Sequence, residues 1–314
     1  MNSFSPPPSE LFFSKNDPSD PRLGDLFHPM ESPDQDQSLV LLGYPDDLGI
    51  QKNGGRVGAS QGPDQIRKWL YKMTPPLNLS RPLFDLGNLS NFESLSLKER
   101  HDQASKKLFK ALESDHKALT FGGGHDYGYA DGKAFLDRHK ETTHRPLIIN
   151  FDAHLDVRKP NPDFNSGTPF YRLRTEYKNF EMIQIGVQSQ CNSKEHLQWC
   201  KQNNIHVVLL DDFFGKDLSL LSLFDKNFSN LLEPDRPCFV SVDIDGFSWA
   251  YAPGCSQSWP TGMEPRDFFP LFSKILECLD VQLLSIYEVS PPLDPQWGTS
   301  KLAAQIAHKY LGAL

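Results

Sequence analysis

A chain of 314 residues, 38% hydrophobic and 23% charged, holds enough apolar material for a substantial core and fits one large α/β domain or two smaller ones. The 40 acidic against 32 basic residues leave a net charge of −8, and no basic run carries interleaved aromatics, so neither nucleic acid nor an anionic membrane is an expected partner. The five cysteines form no CxxC pair, no apolar run approaches the roughly 20 residues of a bilayer span, and the N-terminus lacks the regions of a secretory signal; the expected setting is the cytoplasm.

Residues 1–37, with "SPPPS" and "ESPDQDQS", are expected to form an extended arm, partly disordered or laid across the surface. From Ser38 the character changes, and residues 38–314 read as one domain. Short apolar runs at 38–45, 117–126, 145–154, 180–187, 205–212, 237–245 and 281–290 predict strands. Between them, apolar residues at helical spacing predict helices over 62–73, 97–114, 193–204 and 265–280. Solid apolar strands separated by helices describe a mostly parallel sheet covered on both faces, a three-layer α/β/α fold.

The first motif along the chain, Gly58-Ala59-Ser60-Gln61-Gly62, matches the G-x-S-x-G elbow of serine hydrolases. The elbow needs a buried strand before it. Here "GIQKNGGRV" precedes and Gly62-Pro63-Asp64 follows, so the expectation is a tight turn entering a helix.

Four of the predicted strands end in potential ligands: "GGGHD", "NFDAHLD", "SVDID" and "IYEVS". In open α/β sheets the functional site lies outside the carboxyl ends of the strands. Asp152, His154 and Asp156 stand at every second position after an apolar run, so an extended strand end aims all three at one point. Asp243 and Asp245 repeat the spacing, and His125 follows three glycines. Unpaired carboxylates aimed at one point repel and call for a cation. Six ligands are too many for one ion; shared between two, with a bridging Asp, they make a binuclear site. Mixed carboxylate and imidazole donors without thiolates suit two Mn2+ ions. Glu288, at the same sheet edge, is placed to accept hydrogen bonds from a substrate amidine or guanidine.

The stretches "GGRVGASQGPDQIR", "GGGHD", "FDAHLDVR", "NSGTPF", "SVDIDGFSWAYAPG" and "YEVSPPLD" together resemble the arginase/agmatinase/formimidoylglutamase superfamily, and the likeness runs through most of the chain. The resemblance implies an arginase-like fold, metal-ligand roles for His125, Asp152, His154, Asp156, Asp243 and Asp245, and contact of Glu288 with the amidine. It also makes a homo-oligomer, a trimer or hexamer, the expected assembly. Arginases and agmatinases carry a His where this chain has Ser166, in the "SGTPF" loop whose Ser166 and Gly167 are expected at the substrate.

The combination is most similar to formimidoylglutamase, which hydrolyses N-formimidoyl-L-glutamate to glutamate and formamide. Arg158, two residues beyond Asp156, then meets a substrate carboxylate, and Asp156 or Asp126 carries the proton to the departing nitrogen. The alternatives are the same chemistry on another guanidino or amidino compound, or a metal-retaining binding protein that has lost catalysis. Three residues after Asp245 the family usually has another Asp, where this chain has Ser248.

Overall fold

A computed structural model of the protein describes residues 3–29, 33, 37–216 and 218–314. Ten strands form a single sheet: β1 Phe4–Ser5, β2 Phe27–Pro29, β3 Leu39–Gly43, β4 Leu83–Leu89, β5 Lys117–Phe121, β6 Leu147–Phe151, β7 Glu181–Val187, β8 Ile205–Leu209, β9 Pro237–Asp243 and β10 Asp280–Tyr287. Their order is β1-β4-β3-β5-β10-β9-β6-β7-β8, with β2 also paired to β4. Every pairing is parallel except β1 with β4.

The helices are α1 Leu23–Leu26, α2 Leu48–Lys52, α3 Gly62–Leu70, α4 Leu97–Glu113, α5 Tyr127–Arg138, α6 Pro169–Glu176, α7 Lys194–Gln202, α8 Leu220–Phe228, α9 Pro265–Cys278 and α10 Gly298–Leu311. No described helix is long and apolar enough to cross a membrane.

Alternation along the strands sorts the core into two layers. Leu39 and Leu41 of β3, with Leu147, Ile149 and Phe151 of β6, join Ile66 of α3, Phe268 and Phe272 of α9 and Ile306 of α10 on one face. Val40, Leu42 and Ile148 join Leu108 of α4, Phe135 of α5 and Leu173 of α6 on the other. The result is a sheet between two helical layers, as expected of buried parallel strands.

Stretches of residues 1–37 lie on the sheet's edge. Ser5 pairs with Asn88, and Phe27 to Pro29 run beside Leu83 to Asp85, so both β1 and β2 cover β4. Phe4, Leu23 and Phe27 are buried there.

The G-x-S-x-G stretch is a turn. Gly58 has a positive φ of 135°, a single 3-10 turn spans Ala59–Gln61, and α3 follows at once with Pro63 in its first turn. Asp47 Oδ2 accepts the backbone N–H groups of Gly58 and Ser60, which holds this entry to the helix.

Candidate metal centre

Strands β5, β10, β9 and β6 are neighbours at the middle of the sheet, and being parallel they end at one edge. The register aligns those ends: Phe121 lies opposite Ile286, Asp243 opposite Tyr287, and Phe151 opposite Val242. The residues at and just past each strand end therefore meet. His125 comes from β5, Glu288 from β10, Asp243 and Asp245 from β9, and Asp152, His154 and Asp156 from β6. The glycines before His125 permit close packing. A Cβ on Gly123 would lie 1.8 Å from the Asp46 carbonyl oxygen, and one on Gly122 would lie 2.2 Å from the Tyr287 ring.

His125 Nδ1 stands 3.0 Å from Asp156 Oδ2 and 3.1 Å from both Asp152 Oδ2 and Asp243 Oδ2. Yet it has no hydrogen-bond partner of acceptable geometry, although it is buried. One N–H cannot serve three oxygens. A cation can, because an octahedral ion with bonds of about 2.1 Å spaces adjacent donor atoms about 3 Å apart.

A second group lies alongside. His154 Nδ1 is 3.2 Å from Asp245 Oδ2 and 3.6 Å from Asp152 Oδ1, while Asp245 Oδ1 is another buried atom without a partner. Asp152 thus gives one oxygen to each group, and within each the donor atoms all lie within 4.8 Å of one another. Three strand ends, those of β5, β6 and β9, thus supply the donor groups of a binuclear metal site, and the fourth, that of β10, sets Glu288 beside them.

A row of buried polar side chains supports this layer from below. Thr120, Ser285, Ser241, Asn150 and Gln184 lie opposite one another on β5, β10, β9, β6 and β7. Ser241 Oγ is 3.0 Å from His125 Nε2, which leaves Nδ1 facing the acids. Asn150 Nδ2 donates to Asp152 Oδ2 and to Gln184 Oε1, and Gln184 Nε2 donates to the Leu155 carbonyl. Tyr287 stacks on the His125 ring at 4.8 Å and donates to Asp131, which also accepts from Tyr44, Thr120 and Ser285. Partners of this kind fix ligand orientation and tautomer.

The electrostatics reflect a buried crowd of like charges. Burial, then Asp245 and Asp152, push Asp243 well above the ordinary carboxylate range. Burial, then Asp243 and Asp245, do the same to Glu288. Burial alone would push His125 down, but Asp152, Asp156 and Asp243 reverse this and hold it well above its usual value. Burial would raise Asp152 too, yet His125 and His154 keep it below the usual range. Backbone strain is stored at the same place: Asp156 has φ 50° and Glu288 φ 65°, both left-handed.

The cluster floors a cavity of about 270 Å³ whose walls include Asn53, Arg158, Ser166, Ser256, Gln257 and Trp259. Glu288 lines it, and its Oε1 accepts the His125 backbone N–H at 3.1 Å. Gly167 stands behind the wall, its carbonyl accepting the Arg158 N–H. Ser60 is absent from the lining, and Cys191 is present.

Asp126 is turned away. It does not line the cavity; its Oδ2 lies 2.7 Å from His101 Nε2, and the other ring nitrogen of His101 meets Arg172. Standing just before α5 and bonded to His101 outside the cavity lining, it gives the expected proton transfer to substrate no support. Ser248 does not reach the cluster either. Its hydroxyl donates to the Pro260 carbonyl and accepts from the Ala250 N–H, which pins the loop after β9.

Reading the chain alone missed Asn53, Asn150, Gln184, Asn192 and Ser241. Asn150 and Ser241 each stand two residues before a ligand-type Asp, hence on the same strand face, and that spacing was an available signal. Asn192, which ties the loop after β6 by bonds to Leu155, Ala153 and Gln188, carries no local signal.

Comparison with known proteins gives the same picture. Formimidoylglutamase of Legionella pneumophila (strain Paris) is 32% identical over 283 residues, covering 88% of this chain and 86% of its own. Formimidoylglutamase of Bacillus subtilis superposes with a TM-score of 0.82 at 26% identity, covering 96% of this chain and 94% of the other. Trypanosoma cruzi formiminoglutamase, solved with Mn2+, gives 0.79 at 25% identity over 94% and 98%. A sequence model of the arginase family matches residues 37–312, which takes in every strand end that contributes to the cluster. By sequence over most of its length, and by the fold that brings those ends together, the chain belongs to the arginase family.

Proposed function

We propose that the protein hydrolyses N-formimidoyl-L-glutamate to L-glutamate and formamide, using two Mn2+ ions. His125, Asp152, Asp156 and Asp243 hold one ion, and Asp152, His154 and Asp245 the other. The observation that carries the reading is the unpartnered His125 Nδ1 ringed by three carboxylate oxygens, in a cavity whose wall holds the guanidinium of Arg158. Carboxylate and imidazole donors without thiolate favour manganese, and the T. cruzi relative was solved with it.

Bound there, the two ions lower the pKa of a water towards neutrality and offset negative charge that develops on the substrate. Glu288 receives the amidinium N–H groups; a cation beside it favours the ionised form that burial and its acidic neighbours resist. Asp156, the ligand nearest Arg158 in sequence, carries the proton to the departing nitrogen. Among the described residues Arg158 pairs with no carboxylate, which leaves its charge for a carboxylate of the substrate. The five cysteines carry free thiols, which suits a cytoplasmic setting, and a trimer or hexamer belongs to the same proposal.

The test is purified protein supplied with Mn2+ and assayed for formamide, ammonia and urea. Formimidoylglutamate, arginine, agmatine and a guanidino acid make the panel. Formamide release from formimidoylglutamate at the highest kcat/KM is expected. Faster release of urea from arginine or agmatine would move the chain to another branch of the family.

A further inference from the structure

We infer that Asn53 is a positioning residue that joins Arg158 and Ser166 into one carboxylate clamp, and so sets substrate preference. The inference rests on the reading of the cavity as a site for an acidic amidine. Arg158 Nη1 donates to Asn53 Oδ1 at 2.6 Å, and Asn53 Nδ2 donates to Ser166 Oγ at 3.0 Å. The amide cannot be turned round, because a guanidinium only donates and must face the amide oxygen. The NH2 group is thereby aimed at Ser166.

Two consequences follow for the cavity wall. Of the N–H groups of the Arg158 side chain, only one at Nη1 is taken, and the rest have no protein acceptor among the described residues. Ser166 Oγ already accepts from Asn53, so its own hydrogen must point elsewhere, and among the described residues no acceptor takes it. Arg158 and Ser166 both line the cavity. What they present together is a set of unclaimed donors, against a single remaining hydroxyl lone pair, on a wall that carries one cation. A carboxylate, with lone pairs only, is the complement of that set.

The neighbouring backbone holds the pair in register. Ser166 N–H donates to the Gly49 carbonyl in α2, and Arg158 N–H donates to the Gly167 carbonyl. A Cβ on Gly167 would come within 3.0 Å of Arg158 Cδ, so the guanidinium stem lies across a residue that has no side chain. Lys52, next to Asn53, is already paired with Asp163 and does not line the cavity. Arg158 therefore supplies the charge, and Asn53 its direction.

The experiment compares Asn53→Ala and Asn53→Asp in the metal-loaded enzyme. It reads KM and kcat for formimidoylglutamate and for carboxylate-free N-butylformamidine, and the affinity for free glutamate by calorimetry. For Asn53→Ala, KM for formimidoylglutamate should rise about tenfold with kcat changed less, and glutamate should bind about tenfold more weakly. The preference for formimidoylglutamate over N-butylformamidine should shrink by the same factor. Asn53→Asp should be at least as damaging, because its charge repels a carboxylate and draws the Ser166 hydrogen to itself. A merely structural role predicts the reverse order, since Asp is the closer replacement.

In an Arg158→Ala background, Asn53→Ala should add almost nothing. Unchanged KM and glutamate affinity, a milder Asn53→Asp, or equal losses on both substrates would overturn the clamp. If the wild type fails to hydrolyse formimidoylglutamate while glutamate binding still falls in both variants, the clamp stands and the substrate assignment falls. If the wild type binds no glutamate, the clamp falls.

Discussion

Asp152 gives one carboxylate oxygen to each donor group, so its removal reaches both. Asp152→Ala should therefore lose at least one ion by elemental analysis and lower turnover by orders of magnitude, whereas Ser60→Ala, in a turn outside the cavity, should change kcat/KM less than twofold. Full metal content and activity in Asp152→Ala would sink the shared-ligand assignment. Arg158 acts through charge rather than through the metals. Its side chain is exposed at the rim and holds one protein acceptor, which places the loss at about 1.5–3 kcal/mol for a charge-assisted hydrogen bond, roughly ten- to a hundredfold in kcat/KM. Arg158→Ala should show that loss on formimidoylglutamate with both metals retained, and Arg158→Lys should recover part of it, since an ammonium cannot present two parallel N–H groups. Unaltered kcat/KM in Arg158→Ala would separate the residue from the substrate.

At the scale of elements, the seven apolar runs all become parallel strands; six are buried on both faces along most of their length and so carry no polar alternation, while β8, at the sheet edge, exposes His206. Strand β4 escaped the same reading for a physical reason. Its sequence, Leu83 to Leu89, is interrupted by Asp85, Gly87 and Asn88, and it is buried along its whole length. The acid and the amide are answered from α3: Arg67 donates to Asp85 at 2.7 and 2.9 Å and to Asn88 Oδ1 at 2.7 Å, while the Tyr71 hydroxyl donates to Asp85 Oδ2. A partner 18 residues upstream is invisible to a local pattern. Helix α5 was missed for the opposite reason, since nearly every one of its residues is buried and no polar face marks a period. The metal cluster was legible because its ligands repeat at a spacing of two on adjacent strand ends; Asn53, one residue past α2, follows no such repeat. The Arg67–Asp85 pair yields a prediction. Both side chains are fully buried. Removing one leaves the other uncompensated, so Arg67→Met or Asp85→Leu alone should cost about 3–5 kcal/mol. The double variant should recover much of this. Denaturant unfolding measures all three, and single losses that simply add in the double variant would mean the two residues do not act as a pair.

Over the whole molecule, the site works against the fold when no cation is bound. Asp156, Asp243, Asp245 and Glu288 crowd one cavity floor with two imidazoles, Asp152 joins both donor groups, and burial and mutual repulsion push Asp243 and Glu288 up while the backbones at Asp156 and Glu288 sit in left-handed conformations. A folded chain that carries such a cluster is stabilised by whatever cation it binds, because the unfolded chain assembles no such site. Each site should contribute about 2.7 kcal/mol at a hundredfold excess of metal over its Kd. Thermal unfolding should accordingly move upward on adding Mn2+ and downward in a chelator. Asp243→Asn separates the two effects. An amide there keeps the oxygen that accepts the Asp245 N–H at 2.9 Å; it removes one of the three carboxylates that hold His125 up, and the donor it places 3.1 Å from His125 Nδ1 is accepted once that ring is neutral. One like charge disappears from the cluster without loss of packing. In chelator, Asp243→Asn should therefore melt above the wild type, and in saturating Mn2+ below it, so that the order of the two proteins inverts with metal. A variant that melts below the wild type in both conditions would show that Asp243 supports the fold by contacts other than those to a cation, and the view of the cluster as strain held for the metals would have to be given up.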